Sequence, residues 1–408
     1  MYNTKNNSIS KDINIKQPVV SELPLVLGEG EALGGFDVVI AGGGLAGLSL
    51  SIQLSKRGHK VIVLEKEQYP FHKVCGEYIS LESWDFLVSL GLDLESMNLP
   101  IISQLQVSAA NGKLLEQKLP LGGFGISRFL LDHRLVQIAR SVGVIVQENT
   151  KVNDIFFEQS QFSIDASQYG YTAKVVCGSF GKRSNIDIRW KRGFSMAAKN
   201  KLNNYIGVKY HIKTDFPANT IALHNFNNGY CGIVKIEEDK YCLCYLTTAD
   251  NLQKSKGSIS EMEQTILVQN PHLKKIFAES EFLYDAPLTI SQISFEKKTQ
   301  VDRHVVMTGD AAGMITPLCG NGMSMALHAS KMAAELVHQF LEGRISRVEM
   351  EQQYSLQWNR EFSRRLRTGR RIQRLFGNKR LINSFISLAK PFPRLVDFLI
   401  RQTHGNPF

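Results

Sequence analysis

FDVVIAGGGLAGLSLSIQLSKRGHKVIVLE, residues 36–65, is the stretch whose reading decides the fold. Phe36 to Ala41 is a short apolar run, the pattern of a parallel strand buried on both faces. Gly42-x-Gly44-x-x-Gly47 follows at once, and Leu48, Leu50, Ile52 and Leu54 then mark a helix that Gly58 closes. A second apolar strand, Val61 to Leu64, ends on Glu65. Gly42 permits the tight strand-to-helix turn, Gly44 lets a pyrophosphate approach the backbone, and Gly47 lets helix and strand pack closely. Leu45 and Ala46 begin the helix, whose first N–H groups and positive dipole end face the phosphates. Glu65 lies 21 residues beyond Gly44, the spacing of an acid that accepts from a ribose 2′-OH. That acid would repel a 2′-phosphate, so FAD or NAD suits the turn and NADP does not. A bare glycine-rich turn is the competing reading. It is disfavoured because strand, turn, helix, strand and acid fall in order.

The 408 residues, 43% hydrophobic and 21% charged, have ordinary globular composition and suffice for two or three domains. No apolar run approaches the roughly 18 residues of a spanning helix. The polar N-terminus, MYNTKNNSISKDINIKQ, lacks the apolar segment of a signal peptide and reads as a loose arm. Cys75, Cys177, Cys231, Cys242, Cys244 and Cys319 are scattered, and no His/Cys spacing matches a zinc site, so no metal is expected. Cys242 and Cys244 would share a strand face, too far apart for a typical disulfide. A reducing cytoplasm is the expected compartment.

After Glu65 comes the loop Tyr69 to Glu77, then a helix from Leu81 to Leu90. Strand-like runs at 101–108 and 113–119 lead to Gly122-Gly123-Phe124-Gly125. A helix follows over 127–142, and a third parallel strand over 144–146. Alternating runs at 154–157, 162–164, 173–177, 205–212, 220–224, 230–236 and 241–247 form a β-rich middle. Helical patterns follow at 259–269 and 273–278. Residues 303–309 read as a final buried strand. Helices are expected over 322–342, 347–377 and 380–400.

Thr308 to Gly322, TGDAAGMITPLCGNG, is the second informative stretch. Its strand ends at Gly309-Asp310, which sets a carboxylate at the C-terminal sheet edge where ligands bind. Gly320-x-Gly322 opens a long helix, a second positive dipole end. Together the two stretches resemble the FAD-dependent oxidoreductases that include aromatic-ring hydroxylases, flavin halogenases and geranylgeranyl reductases. The resemblance covers most of residues 36–345. Pro70-Phe71-His72-Lys73-Val74-Cys75-Gly76-Glu77 and Gly313 look most like the geranylgeranyl reductase branch; typical hydroxylases carry His where Gly313 stands.

The resemblance implies an α/β fold: a Rossmann-type FAD-binding domain with an inserted mixed β-sheet substrate domain and a helical C-terminus. The expected boundaries are an arm over 1–33, the FAD domain over 34–185 and 286–345, the substrate domain over 186–285, and a basic helical region over 346–408. It implies FAD contacts from Gly42, Gly44, Leu45, Ala46, Gly47, Glu65, Arg128, Asp310, Gly320, Gly322 and the backbone near Val152. Lys73 and Cys75 become candidates for the flavin face, set against a loop lysine and a small buried hydrophobe. Arg128 also stands four residues before Asp132, the spacing of a helical ion pair. Tyr230 and Tyr241 would floor the substrate site, although aromatics in strands are mostly core. His328 reads as a packed or capping histidine.

Three family features are absent. The Asp-Gly pair linked to FAD and NAD(P)H is replaced by Cys177-Gly178-Ser179-Phe180-Gly181-Lys182-Arg183-Ser184. The reductases' Tyr-x-Trp-x-Phe-Pro is missing, because residues 226–234 read FNNGYCGIV. The halogenases' Trp-x-Trp-x-Ile-Pro is also missing, since Trp84, Trp190 and Trp358 stand alone. The expected activity is oxidoreduction of an apolar small molecule: reduction of isoprenoid or polyketide-like double bonds, with hydroxylation of an aromatic or polyketide substrate, or electron transfer alone, as alternatives. The expected electron donor is a reduced ferredoxin or flavodoxin-like protein, or NAD(P)H.

Residues 360–408 hold 12 Lys/Arg and two acids, which accounts for the whole net charge of +10. Ile372, Leu375, Phe376, Leu381, Ile382, Phe385, Ile386, Leu388, Phe392, Leu395, Phe398 and Leu399 interleave with them. Basic clusters beside apolar helical faces read as an element for an anionic membrane surface, on the inner face of the membrane. The alternative is a helical cover whose arginines are solvated. Nucleic acid is not expected, since few aromatics accompany the arginines.

Overall fold

The computed structural model describes residues 33–182, 184–196, 204–376 and 378–408. The arm expected over 1–33 therefore lies outside the described residues except for Leu33. Two sheets organise the rest. The first contains strands β1 (Leu33–Ala41), β2 (Val61–Leu64), β3 (Gly170–Gly178) and β5 (Val305–Met307), with the order 301–302, β5, β3, β1, β2, 145–147. β1 lies parallel to both neighbours, pairing Val38 with Val61 and with Val175. Val38, Val39 and Ile40 are fully buried, as a central parallel strand with both faces covered requires. The hairpin of 152–158 and 161–166 runs on into β3.

Helix α1 (Leu45–Ser55) packs against α2 (Arg128–Ser141) and α3 (Gly322–Leu341). The α1–α3 crossing uses small residues: Ser49 and Ser330 meet hydroxyl to hydroxyl at 2.7 Å, both buried. Ser127 caps α2 by accepting from Leu130 N.

The second sheet has nine strands around β4 (Tyr205–Lys213). It takes strands 78–80, 101–108 and 114–125 as well as 205–293. Strands 78–80, 101–108 and 114–125, which precede the expected insertion at 186, thus pair here and not in the first sheet. Gly123 to Gly125 close no strand; they continue the 114–125 strand and pair with Tyr78 to Ser80. Gly123 and Gly125 flank the buried Phe124 and must lack side chains there, since a Cβ on Gly125 would lie 1.8 Å from Lys235 O. One face of this sheet packs Met262, Leu267, Leu273 and Ile276 from the 259–279 helices. The other packs Ile382, Ile386 and Val396 from the C-terminal helices.

Helix α4 (Arg347–Leu375) buries Met350, Tyr354, Trp358, Phe362 and Leu366 against the nucleotide half. The last helix is not continuous over 380–400: it breaks into α5 (Lys379–Ala389) and α6 (Pro393–Arg401). Pro391 and Pro393 cause the break, since neither can donate a helical hydrogen bond. The strand expected over 303–309 shrinks to β5, because Arg303 and His304 form a turn with positive φ.

Candidate functional site

The glycine turn has the geometry that its spacing demands. Gly42 has φ +107°, and a Cβ there would sit 2.5 Å from Ser179 O. A Cβ on Gly47 would lie 2.1 Å from Gly42 O. Gly44 is different: a Cβ would meet only Lys73 Nζ at 3.8 Å and Arg128 Nη2 at 3.9 Å. The turn therefore needs Gly42 and Gly47 for folding, whereas Gly44 opens onto two cations. Gly44 is also the N-cap of α1, and no side chain caps it, so Leu45 and Ala46 begin the helix with outward N–H groups. Glu65 is buried at the end of β2 and accepts from Gly43 N at 2.8 Å and Glu67 N at 3.1 Å. Thr150 N donates to Glu65 O at 2.8 Å, which brings the strand starting at Val152 close to the same sheet edge.

Arg128 does form the helical pair with Asp132, through Nε at 2.9 Å and Nη2 at 2.7 Å. Lys73 Nζ reaches the same carboxylate at 3.0 Å. Burial alone would raise the Asp132 carboxyl, but Arg128 and Lys73 beside it hold it below the usual carboxylate range. Two cations against one carboxylate leave one positive charge over Gly44, and pairing with Asp132 fixes its position.

Asp310 stands at the end of β5 in a hollow lined by Gly309, Gly313, Gly322, Met325 and Trp358. Among the described residues no side chain bonds its carboxylate. Its backbone carbonyl accepts from Lys298 Nζ at 2.8 Å, and burial pulls that lysine's pKa down to about 8 against the opposing Asp310. Gly320 has φ +63° and packs against Tyr78. Asn321 occupies the N-cap of α3 without capping it. It donates instead to buried Glu82 at 2.5 Å, and Gly405 N donates to the same carboxylate at 2.6 Å. The start of α3, at Gly322, is thus a second uncapped helix end. Cys75 is half-buried with Sγ 3.7 Å from Met323 Sδ in the first turn of α3, so the Lys73–Cys75 loop touches both Arg128's partner and this helix end.

Sequence reasoning missed a fully buried charge cluster beside that loop. Glu77 accepts from Lys209 Nζ at 2.5 Å, His211 Nε2 at 2.6 Å and Arg128 N at 2.7 Å. His211 Nδ1 then meets Tyr284 OH at 2.8 Å, and Tyr284 OH meets His72 at 3.1 Å. Lys209 and His211 alternate with apolar residues along β4, so they read as a solvated strand face; in the fold that face turns onto the 69–77 loop. Glu77 has φ +55°, and its three partners hold it there. Glu77, His211 and Cys242 have metal-ligating types, but the Lys209 ammonium already occupies the cation position. His59, His338 and Glu342 form a second such group on the outside, with His59 Nε2 2.8 Å from His338 Nδ1.

Tyr230 and Tyr241 are both buried in core clusters. His328 is packed, stacked on Phe408 at 4.2 Å. A Cβ on Gly313 would lie 2.5 Å from the Trp358 ring, so that indole fills the space where hydroxylases would carry histidine.

A family model described as an FAD binding domain matches residues 35–355. Digeranylgeranylglycerophospholipid reductase 2 of Methanopyrus kandleri is 23% identical over 84% of this chain and 86% of its own. Conditioned medium factor receptor 1 of Dictyostelium discoideum is 24% identical over 76% of this chain; the match spans 65% of that protein, less than two thirds of its length. A solved geranylgeranyl bacteriochlorophyll reductase-like structure from Thermoplasma acidophilum superposes with TM-score 0.76 at 16% identity, covering 93% of this chain and 97% of that one. A brominase of Pseudoalteromonas luteoviolacea and a kynurenine 3-monooxygenase of Christiangramia forsetii also match.

Proposed function

The chain belongs to the FAD binding domain family and is an FAD-dependent oxidoreductase; from that premise we propose that it reduces carbon–carbon double bonds in an apolar, isoprenoid- or polyketide-like substrate. The residues fit the cofactor. A fixed positive charge over the uncapped start of α1 suits a diphosphate, a buried acid at the end of β2 suits a ribose, and the unpaired Asp310 carboxylate suits ribityl hydroxyls. Bound FAD supplies the electron pair for the chemistry. The protein's own part is orientation and exclusion of water. Arg128 and Lys73 would hold the diphosphate, Glu65 the adenosine ribose, and Asp310 the chain leading to the ring. Cys75, Met323 and the start of α3 would supply the side chains beside it.

The observation that carries reduction over hydroxylation is Trp358 against Gly313, which leaves no room for the hydroxylase histidine. The likeness to a digeranylgeranylglycerophospholipid reductase over most of both chains supports it. Hydroxylation with O₂ is the second reading, favoured by the likeness to a kynurenine 3-monooxygenase; electron transfer to a partner is the third. The deciding experiment incubates chemically reduced enzyme with polyprenyl lipids and with aromatic acceptors, without and with O₂, and reads products by mass. Gain of two hydrogens without O₂ supports the proposal. Gain of an oxygen atom only with O₂ overturns it in favour of hydroxylation, and neither product leaves electron transfer.

A further inference from the structure

Helices α5 and α6 each have two apolar faces. One packs inward, through Ile382, Ile386, Ala389 and Val396, onto the sheet around β4 and the 314–318 loop. The other points out. Leu381, Leu388, Phe392, Leu395 and Phe398 are between 43% and 67% exposed, and they gather in an 18-residue span. On α5, Leu381, Ser384 and Leu388 share the outer face at helical spacing. On α6, Leu395 and Phe398 share it with Arg394 and Arg401. Exposed Lys379, Arg380, Lys390, Arg394 and Arg401 surround these side chains. The only acid on the pair, Asp397, is bonded to Arg401 at 2.8 Å. Lys113, whose Nζ bonds Ser387 Oγ at 3.1 Å, adds a further cation beside α5.

Not all of the basic C-terminal run faces outward. Arg365 on α4 is buried near Glu82 and bonds Glu361. Five exposed arginines of the run, Arg360, Arg364, Arg367, Arg371 and Arg374, lie on α4; the other five exposed cations lie on α5 and α6, the helices that also expose aromatic and leucine side chains. Exposed large apolar side chains interspersed with charges of one sign mark an interaction surface. We propose that this face docks the protein on an anionic membrane surface. The charge selects this occupant over a second copy of the chain: a two-fold contact through the patch would set two basic rings against each other, whereas anionic headgroups neutralise them and the acyl boundary takes Leu388, Phe392 and Phe398. No described helix is long and apolar enough to cross a membrane, so the contact is superficial. This reading is independent of which reaction the flavin site performs.

The test is co-sedimentation of the flavin-loaded protein with vesicles of phosphatidylcholine alone and with added phosphatidylglycerol, at low and high salt. Salt-sensitive binding to the anionic vesicles is expected. Lys390→Glu with Arg394→Glu should weaken it by at least about thirtyfold, taking roughly 1 kcal/mol per basic residue. Leu388→Ser, Phe392→Ser and Phe398→Ser together should abolish retention at high salt. All five positions are exposed, so unchanged flavin content and circular dichroism certify the variants. Equal, negligible sedimentation with both lipids overturns the proposal. So does binding that neither variant changes, or a concentration-dependent dimer that the serine variant dissolves while vesicles remain unbound.

Discussion

Replacing Lys209 by Met tests whether the buried cluster at Glu77 stabilises the fold around the 69–77 loop. Both side chains of the pair are 0% exposed and meet at 2.5 Å. Breaking a buried pair by removing one partner costs about 3–5 kcal/mol, because the surviving charge is left uncompensated. Glu77 would keep His211 and Arg128 N, two of its three donors, so the expected loss is near the lower end, about 3 kcal/mol. Glu77→Gln with Lys209→Met removes both charges and should recover more than half of that loss. Urea unfolding followed by circular dichroism at neutral pH measures all three proteins. A single variant within about 1 kcal/mol of the parent would refute the reasoning; so would a double variant as unstable as the single one. The pH dependence gives an independent reading. Burial alone would raise the Glu77 carboxyl, but Lys209 and His211 hold it below the ordinary range. Its contribution is therefore complete above the unfolded value of about 4.3 and is lost as pH falls further toward the folded value. Lys209→Met should flatten that acid limb.

Gly42→Ala places a methyl 2.5 Å from a carbonyl at φ +107° and should cost at least about 2 kcal/mol of stability. Gly44→Ala meets only ordinary contacts, so it should melt normally while holding FAD about tenfold more weakly, the value of one displaced backbone hydrogen bond. Asp310→Ala should give a folded protein that purifies without its yellow colour; full flavin occupancy would remove Asp310 from the ribityl chain. The chain has no second Gly-x-Gly-x-x-Gly and no Asp-Gly pair, so NADPH alone should reduce the flavin slowly and a ferredoxin- or flavodoxin-like donor faster. Rapid anaerobic bleaching by NADPH would reject that.

The nucleotide half was legible in the sequence because its signals are local. Gly42 and Gly47 are fixed by backbone geometry within one turn, Gly44 stands between them at the spacing of a phosphate approach, and Glu65 closes the same βαβ unit. The substrate sheet was legible as strands but not as a sheet. Whether residues 101–108 join 220–226 or the β1 neighbourhood depends on pairing across more than a hundred residues, which periodicity does not encode. Lys209 and His211 stayed hidden for a related reason: period-two alternation says which residues share a face, not what that face meets. The Trp358–Gly313 contact joins a helix and a loop with no pattern in common. The α5–α6 break is encoded by Pro391 and Pro393, but the apolar spacing continues through them and masks it.

The arrangement of the glycine turn, Arg128, Asp310 and the start of α3 has a consequence for how the protein is made. β3 and β5 close the first sheet late, and the positions that would grip FAD are spread from Gly42 to Gly322. During synthesis the first βαβ unit leaves the ribosome with its glycine turn but without Lys73, Arg128, the Asp310 carboxylate or the second helix end to retain a flavin. Cofactor capture is then a late event in biogenesis, after roughly four-fifths of the chain has emerged, and the free edge of β3 waits for β5 until nearly then.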